Sequence, residues 1–328
     1  MTVTLPGFFD LQVNGFGGVD FNGSSLTADR VAEALERIRA TGVTRCLPTL
    51  ITSSFARFAA NARVLTEIDD PTVVGLHMEG PYVSPSDGAR GAHPSEHVVP
   101  ARIDDFKRRQ EAAQGRIVLV TLAPEVDGAL QLIEHLVSTG VRVAIGHTAA
   151  TPDELRDAIA AGATLATHLG NGCPQMLLRH PNIIWELLAA DAVFASVIAD
   201  GHHLPSSTLK SIVRAKGPDR TILVTDAVAA AGWSATASAE RFTIGDVACE
   251  LGADGRVSLP GTPYLAGSSL TLDRAIPNTV HATGLPIEAV IPMASTIPAA
   301  LLGMTPAGIV TADWDSDTHD LRVRNVTS

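Results

Sequence analysis

Glu79, His147, His168, His202, His203 and Asp226 share a position in the chain: each stands at the end of a short apolar run. Gln12 and Asn14 stand at the end of another. The runs read as β-strands, so polar side chains recur at strand ends. Taken singly, each has a structural reading. A buried histidine usually satisfies a local hydrogen bond, and an aspartate after a strand can cap the turn. Their common placement argues for a site instead. Two imidazoles and a carboxylate form an open ligand set for a borderline divalent metal such as zinc. A structural zinc site uses four protein ligands, whereas three leave a place for water, whose pKa the ion lowers. The Asp226 carboxylate could take a proton from that water and pass it to a leaving amine. The chemistry is that of hydrolysis.

The elements that would position these groups alternate along the chain. Extended runs are expected at Leu5–Leu11, Val43–Leu50, Val73–Met78, Arg116–Leu122, Val141–Gly146, Ala163–Thr167, Val193–Ala199 and Thr221–Thr225. Helices are expected between them. Over Thr27–Thr41, Val31, Ala34, Leu35 and Ile38 share one face and Gly42 stops the helix. Thr151, Pro152 and Glu154 form a capping-box start. Strands alternating with helices imply parallel pairing, and eight such units fit a closed (β/α)8 TIM-like barrel better than an open sheet. In such a barrel the C-terminal strand ends carry the chemistry. The segment Phe242–Leu259 differs: it reads as two strands joined through Asp254-Gly255, a hairpin insertion near 240–260. Helices over Ser269–Thr283 and Ile287–Leu302 follow, and Trp314–Val326 reads as a short C-terminal β remnant. The whole of 1–328 reads as one hydrolase domain, with no repeat or linker.

Composition narrows the classes. Of 328 residues, 45% are hydrophobic and 18% charged, as in a globular enzyme. The net charge of −11 and the lack of a basic stripe argue against nucleic acid. Cys46, Cys173 and Cys249 lie far apart, so neither a disulfide framework nor a cysteine zinc site is expected. No signal peptide or membrane-spanning run is evident, and the expected location is cytoplasmic. Asn14-Gly15-Phe16-Gly17-Gly18 lacks the spacing of a dinucleotide loop.

The motifs PGFFDLQVNGFGG, GLHMEGPY, IGHTA, ATHLGN, IADGHHL, LVTDAVAAAG and LAGSSLTLDRA together resemble the N-acetylglucosamine-6-phosphate deacetylase family of the amidohydrolase superfamily. They run in that family's order from Pro6 to about Leu302. The resemblance implies an amidohydrolase-type barrel with an accessory β-sandwich. It implies that Glu79, His147 and His168 hold the metal and that Asp226 is the catalytic base and then acid. It implies that His203 polarises the amide carbonyl. His93, Asn171, Gly172 and Arg179 would contact the sugar phosphate, and Ala266 and Gly267 would close on the substrate. The expected cofactor is one divalent ion, zinc first, with Fe2+, Co2+ and Mn2+ as alternatives. The expected partner is a small N-acetylated amino sugar carrying a 6-phosphate, acted on by a homodimer.

Three departures qualify this. Gln12-Val13-Asn14 stands where the superfamily has His-x-His. Amides are weak zinc ligands, so a single metal is expected. THLGNGC replaces the usual THLFNAM, putting Gly170, Gly172 and Cys173 in the wall, and the following stretch, with Trp185, is also unusual. A different N-acyl substrate is therefore an alternative. The chain begins almost at its first strand, so a much reduced accessory sheet is expected. Loop arginines are usually solvated, but the spacing of Arg179 from His168 matches the family's phosphate-binding arginine. Cys173 reads as a small wall residue, and His97, His135, His180, His281 and His319 as surface or helix residues. The other readings are a deacylase of another N-acyl amino sugar or N-acyl amino acid, and a non-catalytic sugar-phosphate-binding relative.

Overall fold

Eight parallel strands run in sequence order around a barrel in this computed structural model, which describes residues 1–233 and 240–327. They span Phe8–Val13, Val43–Ile51, Leu76–Glu79, Ile117–Leu122, Arg142–Ile145, Leu165–Ala166, Phe194–Ile198 and Thr221–Val224. Each expected run overlaps one of them. Helices return the chain between strands as the apolar periodicity requires. In the helix Ala28–Ala40, Val31, Ala34, Leu35 and Ile38 are the buried residues. Thr151 and Glu154 make the reciprocal capping box that starts the helix Pro152–Ala160.

The barrel closes between the first and eighth strands, where Val13 bridges Ala227 in parallel register. Asn14 N donates to Ala227 O at 2.7 Å. Below this bridge a side chain does the work of a ladder. Asp10 accepts from Thr225 N at 3.2 Å, Gln12 N at 3.2 Å and Thr225 Oγ1 at 2.6 Å. Burial pushes the Asp10 carboxyl up to about 7 against the pull of those donors.

Three sequence expectations are corrected. The run Leu5–Leu11 is two strands: Thr2–Pro6 pairs antiparallel with Ile309–Asp315, and only Phe8–Val13 enters the barrel. Gly7 divides them, because a Cβ there would lie 2.2 Å from Ala307 O. The insertion is a three-stranded meander, Glu240–Ile244, Val247–Leu251 and Val257–Ser258. Asp254-Gly255 joins its last two strands, while Gly245-Asp246 makes an additional turn. The segment Ile287–Leu302 is not one helix. It divides into Ile287–Val290, a 3-10 turn at Ile291–Ala294 and Thr296–Leu301, because Pro292 and Pro298 have no N–H to donate.

Thr2–Pro6, Ile309–Asp315 and Asp320–Thr327 form a small three-stranded accessory sheet. It joins the barrel beside the starts of the first two strands, where Gly7 N donates to Gly308 O and Thr44 Oγ1 to Ala307 O. The meander instead covers the opposite, C-terminal end, packing Ile244, Cys249, Leu251 and Val257 with Val228 and Ala266. Among the described residues no single helix is long and apolar enough to cross a membrane.

The seam makes two stability predictions. Asp10→Ala leaves two buried N–H groups without an acceptor and should cost about 3 kcal/mol in chemical denaturation. A variant as stable as the parent would show that the seam does not need the carboxylate. The folded pKa is raised above 3.8, so the stability tied to this carboxyl is full below about pH 4 and is lost as pH rises through about 7. The difference in melting temperature between the parent and Asp10→Asn should therefore change across that interval and be flat above it.

Candidate active site

Period-two alternation aims Gln12 and Asn14 from the first strand, and His77 and Glu79 from the third, into the barrel. His147, His168 and Asp226 follow the fifth, sixth and eighth strands, all with left-handed backbone, φ of 49°, 32° and 52°. Only two other described non-glycine residues have positive φ, Gln114 and His319. The turn at each strand end is thus made on the functional residue itself.

The result is a triangle of ligand atoms. His168 Nε2 lies 3.1 Å from Glu79 Oε1, His147 Nε2 lies 3.2 Å from the same oxygen, and the two nitrogens are 3.1 Å apart. All three residues are buried. A first-row divalent ion with ligands at about 2 Å in tetrahedral array holds its ligand atoms roughly 3.3 Å apart, so the triangle fits one. Proton placement agrees. His147 Nδ1 donates to Ala89 O at 3.1 Å, which leaves Nε2 free to ligate. His168 Nδ1 is buried without a hydrogen-bond partner among the described residues. Burial alone would raise the Glu79 pKa, but hydrogen bonds and charge from the two histidines hold it well below the usual range. These residues would hold a divalent metal.

Asp226 faces the triangle through an amide. Gln12 Nε2 donates both to Glu79 Oε1 at 2.9 Å and to Asp226 Oδ1 at 3.0 Å, and Asn14 Nδ2 donates to Asp226 Oδ1 at 2.6 Å. Burial and the Glu79 charge raise the Asp226 carboxyl to about 6. An acid of that strength can exchange protons near neutral pH.

A cavity of about 710 Å³ opens over these groups. Glu79, His147, His168 and Asp226 line it, and so do His93, Asn171, Gly172, His203, Ala266 and Gly267. Arg179 does not: it is exposed in the loop after the sixth strand, outside the lining. His202 turns away and meets Asp254 O at 3.2 Å.

Several supporting residues escaped the sequence reading. Asp200 accepts from His203 Nδ1 at 2.7 Å and from the backbone N–H groups of His202 and His203, fixing the ring. The Asp-x-x-His spacing within ADGHH was the available signal. Thr52 holds His93 Nδ1 at 2.8 Å, and the His93 ring packs edge-on to His147. Burial pushes His93 down to about 3 and His77 to about 4, so both rings are neutral. Beneath the triangle, His77 Nε2 and Thr167 Oγ1 each meet Thr121 Oγ1 at 2.8 Å. Glu125 braces the turn after His147, accepting from Thr148 Oγ1 and from Ala149 N at 2.6 Å.

A barrel with three convergent ligands and a facing carboxylate defines a metal-dependent hydrolase. The sequence pattern of the amidohydrolase family matches residues 3–318. An N-acetylglucosamine-6-phosphate deacetylase of Bos taurus is 35% identical over 319 residues, covering 92% of this chain and 75% of its own. An N-acetylgalactosamine-6-phosphate deacetylase of Escherichia coli O157:H7 is 34% identical, covering 91% and 78%. The structure of a mutant N-acetyl-D-glucosamine-6-phosphate deacetylase of Mycobacterium smegmatis, in complex with N-acetyl-D-glucosamine-6-phosphate, superposes with a TM-score of 0.89. It is 32% identical and covers 99% of this chain and 85% of its own. The chain belongs to the amidohydrolase family and, within it, to the N-acetylglucosamine-6-phosphate deacetylases.

Metal content tests the triangle without a substrate. Glu79→Ala, His147→Ala and His168→Ala should each lose nine-tenths or more of the bound metal in elemental analysis, whereas Asp200→Ala should keep it. Full occupancy in the three ligand variants would place the ion elsewhere.

Proposed function

We propose that this enzyme hydrolyses the N-acetyl amide of an amino sugar phosphate, N-acetylglucosamine 6-phosphate, to the free amine and acetate. The observation that carries the reading is that Asp226 meets the Glu79–His147–His168 triangle through the single amide of Gln12. A divalent cation held by Glu79, His147 and His168 would supply Lewis acidity to the amide carbonyl and to water. Asp226 takes a proton from the attacking water and delivers it to the leaving nitrogen. Gln12 and Asn14 hold that carboxylate in place through both exchanges. His203, oriented by Asp200, donates from Nε2 to the amide oxygen as negative charge develops there. His93, Asn171, Gly172, Ala266 and Gly267 contact the sugar, and Arg179, in the loop after the sixth strand, binds the phosphate.

The scheme uses one ion per chain, a count supported by Gln12 and Asn14, whose amide nitrogens donate to carboxylates. The two-histidine, one-carboxylate set suits zinc, and Fe2+, Co2+ or Mn2+ could occupy it. The exposed apolar side chains of Met176 and Leu178 near the cavity support a homodimer. The three free cysteines support a reducing, cytoplasmic compartment. A second reading, an N-acyl amino sugar without phosphate, is favoured by one observation: among the described residues, no Lys or Arg lines the cavity.

Asp226→Asn should retain one metal per chain and lose at least about 10³-fold in kcat. A fully active variant would remove Asp226 from the reaction, and two metals per chain would overturn the mononuclear scheme. In a hydrolysis screen of N-acetylglucosamine and N-acetylgalactosamine, each with and without 6-phosphate, phosphate should raise kcat/KM at least about 100-fold, through Arg179. Equal rates, unchanged in Arg179→Ala, would favour the second reading.

A further inference from the structure

The catalytic cavity continues into a cleft that the acetyl chemistry does not use. Its walls are the helices Ile183–Ala189 and Ser206–Lys216. Ile184, Trp185 and Leu188 line it from the first helix, at spacings that put them on one face, and Ile212 lines it from the second. Ile198, at the end of the seventh barrel strand, also lines the cavity. The entrance is Gly170, two residues after the ligand His168. A Cβ on Gly170 would lie 3.0 Å from Leu204 Cδ2 and 3.8 Å from Ile212 Cδ1, so a large side chain there would occupy the cleft. The φ of 99° at Gly170 disfavours any such side chain.

We propose that this cleft is a subsite for an apolar group of the substrate, several carbons larger than the acetyl methyl. The inference rests on the amino sugar deacylase reading. Three observations carry it. The cleft is continuous with the metal triangle, and its lining is apolar beyond a few hydroxyl groups. The cavity's volume, about 710 Å³, lies well inside the range of pockets that take drug-sized ligands. Trp185, 53% exposed, offers an aromatic face that a bound alkyl or aryl group would cover. Burying each added methylene would tighten binding about fourfold. Such a group reaches the cleft from one of two sources, as a longer N-acyl chain or as an apolar aglycone on the sugar.

The test compares two substrate series in whichever phosphorylation state the N-acetyl parent is turned over. One series lengthens the acyl group from acetyl through butyryl to hexanoyl. The other keeps N-acetyl and adds a hexyl glycoside. At least a tenfold rise in kcat/KM in one series is expected, and the series that rises identifies the source. Leu188→Trp and, from the facing helix, Ser211→Phe should each cut that ratio of long to short substrate at least tenfold. Rates that fall with size in both series overturn the inference while leaving deacetylation intact. Binding is read separately through tryptophan emission. The hexanoyl or hexyl compound should shift it to the blue in the parent but not in Trp185→Phe, and the acetyl parent should not shift it. If no compound is hydrolysed, the deacylase reading fails and this emission shift alone decides the subsite: a shift upholds it, no shift removes it.

Discussion

Two carboxylates, Glu79 and Asp226, are buried within hydrogen-bonding reach of one amide group, that of Gln12. Negative charge so concentrated away from water is unstable unless something compensates it. Much of the surrounding structure answers that demand. His147 and His168 converge on Glu79, Asn14 adds a second donor to Asp226, and a divalent cation at the triangle would complete the compensation. Asp226 is the group left least compensated, and its raised pKa is the result. The same residue is the one proposed to move a proton. The site's electrostatic imbalance and its catalytic competence are one property.

The barrel keeps this arrangement rigid by hydrogen bonds between side chains of different strands. Asp10 and Thr225 join the first strand to the eighth, and the His77–Thr121–Thr167 chain ties the third, fourth and sixth beneath the triangle. The small accessory sheet is attached beside the starts of the first two strands, at the end away from the site. The meander over 240–258 contributes Ile244 and Val247 to the cavity wall.

Much of this was legible in the sequence because apolar periodicity reports burial, and burial locates barrel strands. Glu79, His147, His168 and Asp226 could be read because chemistry at a strand end breaks an apolar run. What was missed has a different origin. Gly7 ends one strand and starts another by close approach to Ala307, a contact between residues far apart in the chain. The segment Ile287–Leu302 had helical periodicity, but its prolines outweighed it. Asp200, Thr52 and His77 act through partners on other elements, and no local pattern reveals a partner. Arg179 shows the converse: its spacing pointed to the site, yet its side chain lies outside the cavity lining.

The left-handed backbone at His147, His168 and Asp226 has a consequence for how this protein can change. A side chain in that region strains the backbone, by order of 1 kcal/mol or more at each position, and glycine would relieve it. Drift toward greater stability therefore runs through the loss of the very groups to which the chemistry is assigned. A relative that had abandoned catalysis would be free to take glycine at these turns, so their occupants record whether a lineage still depends on the reaction.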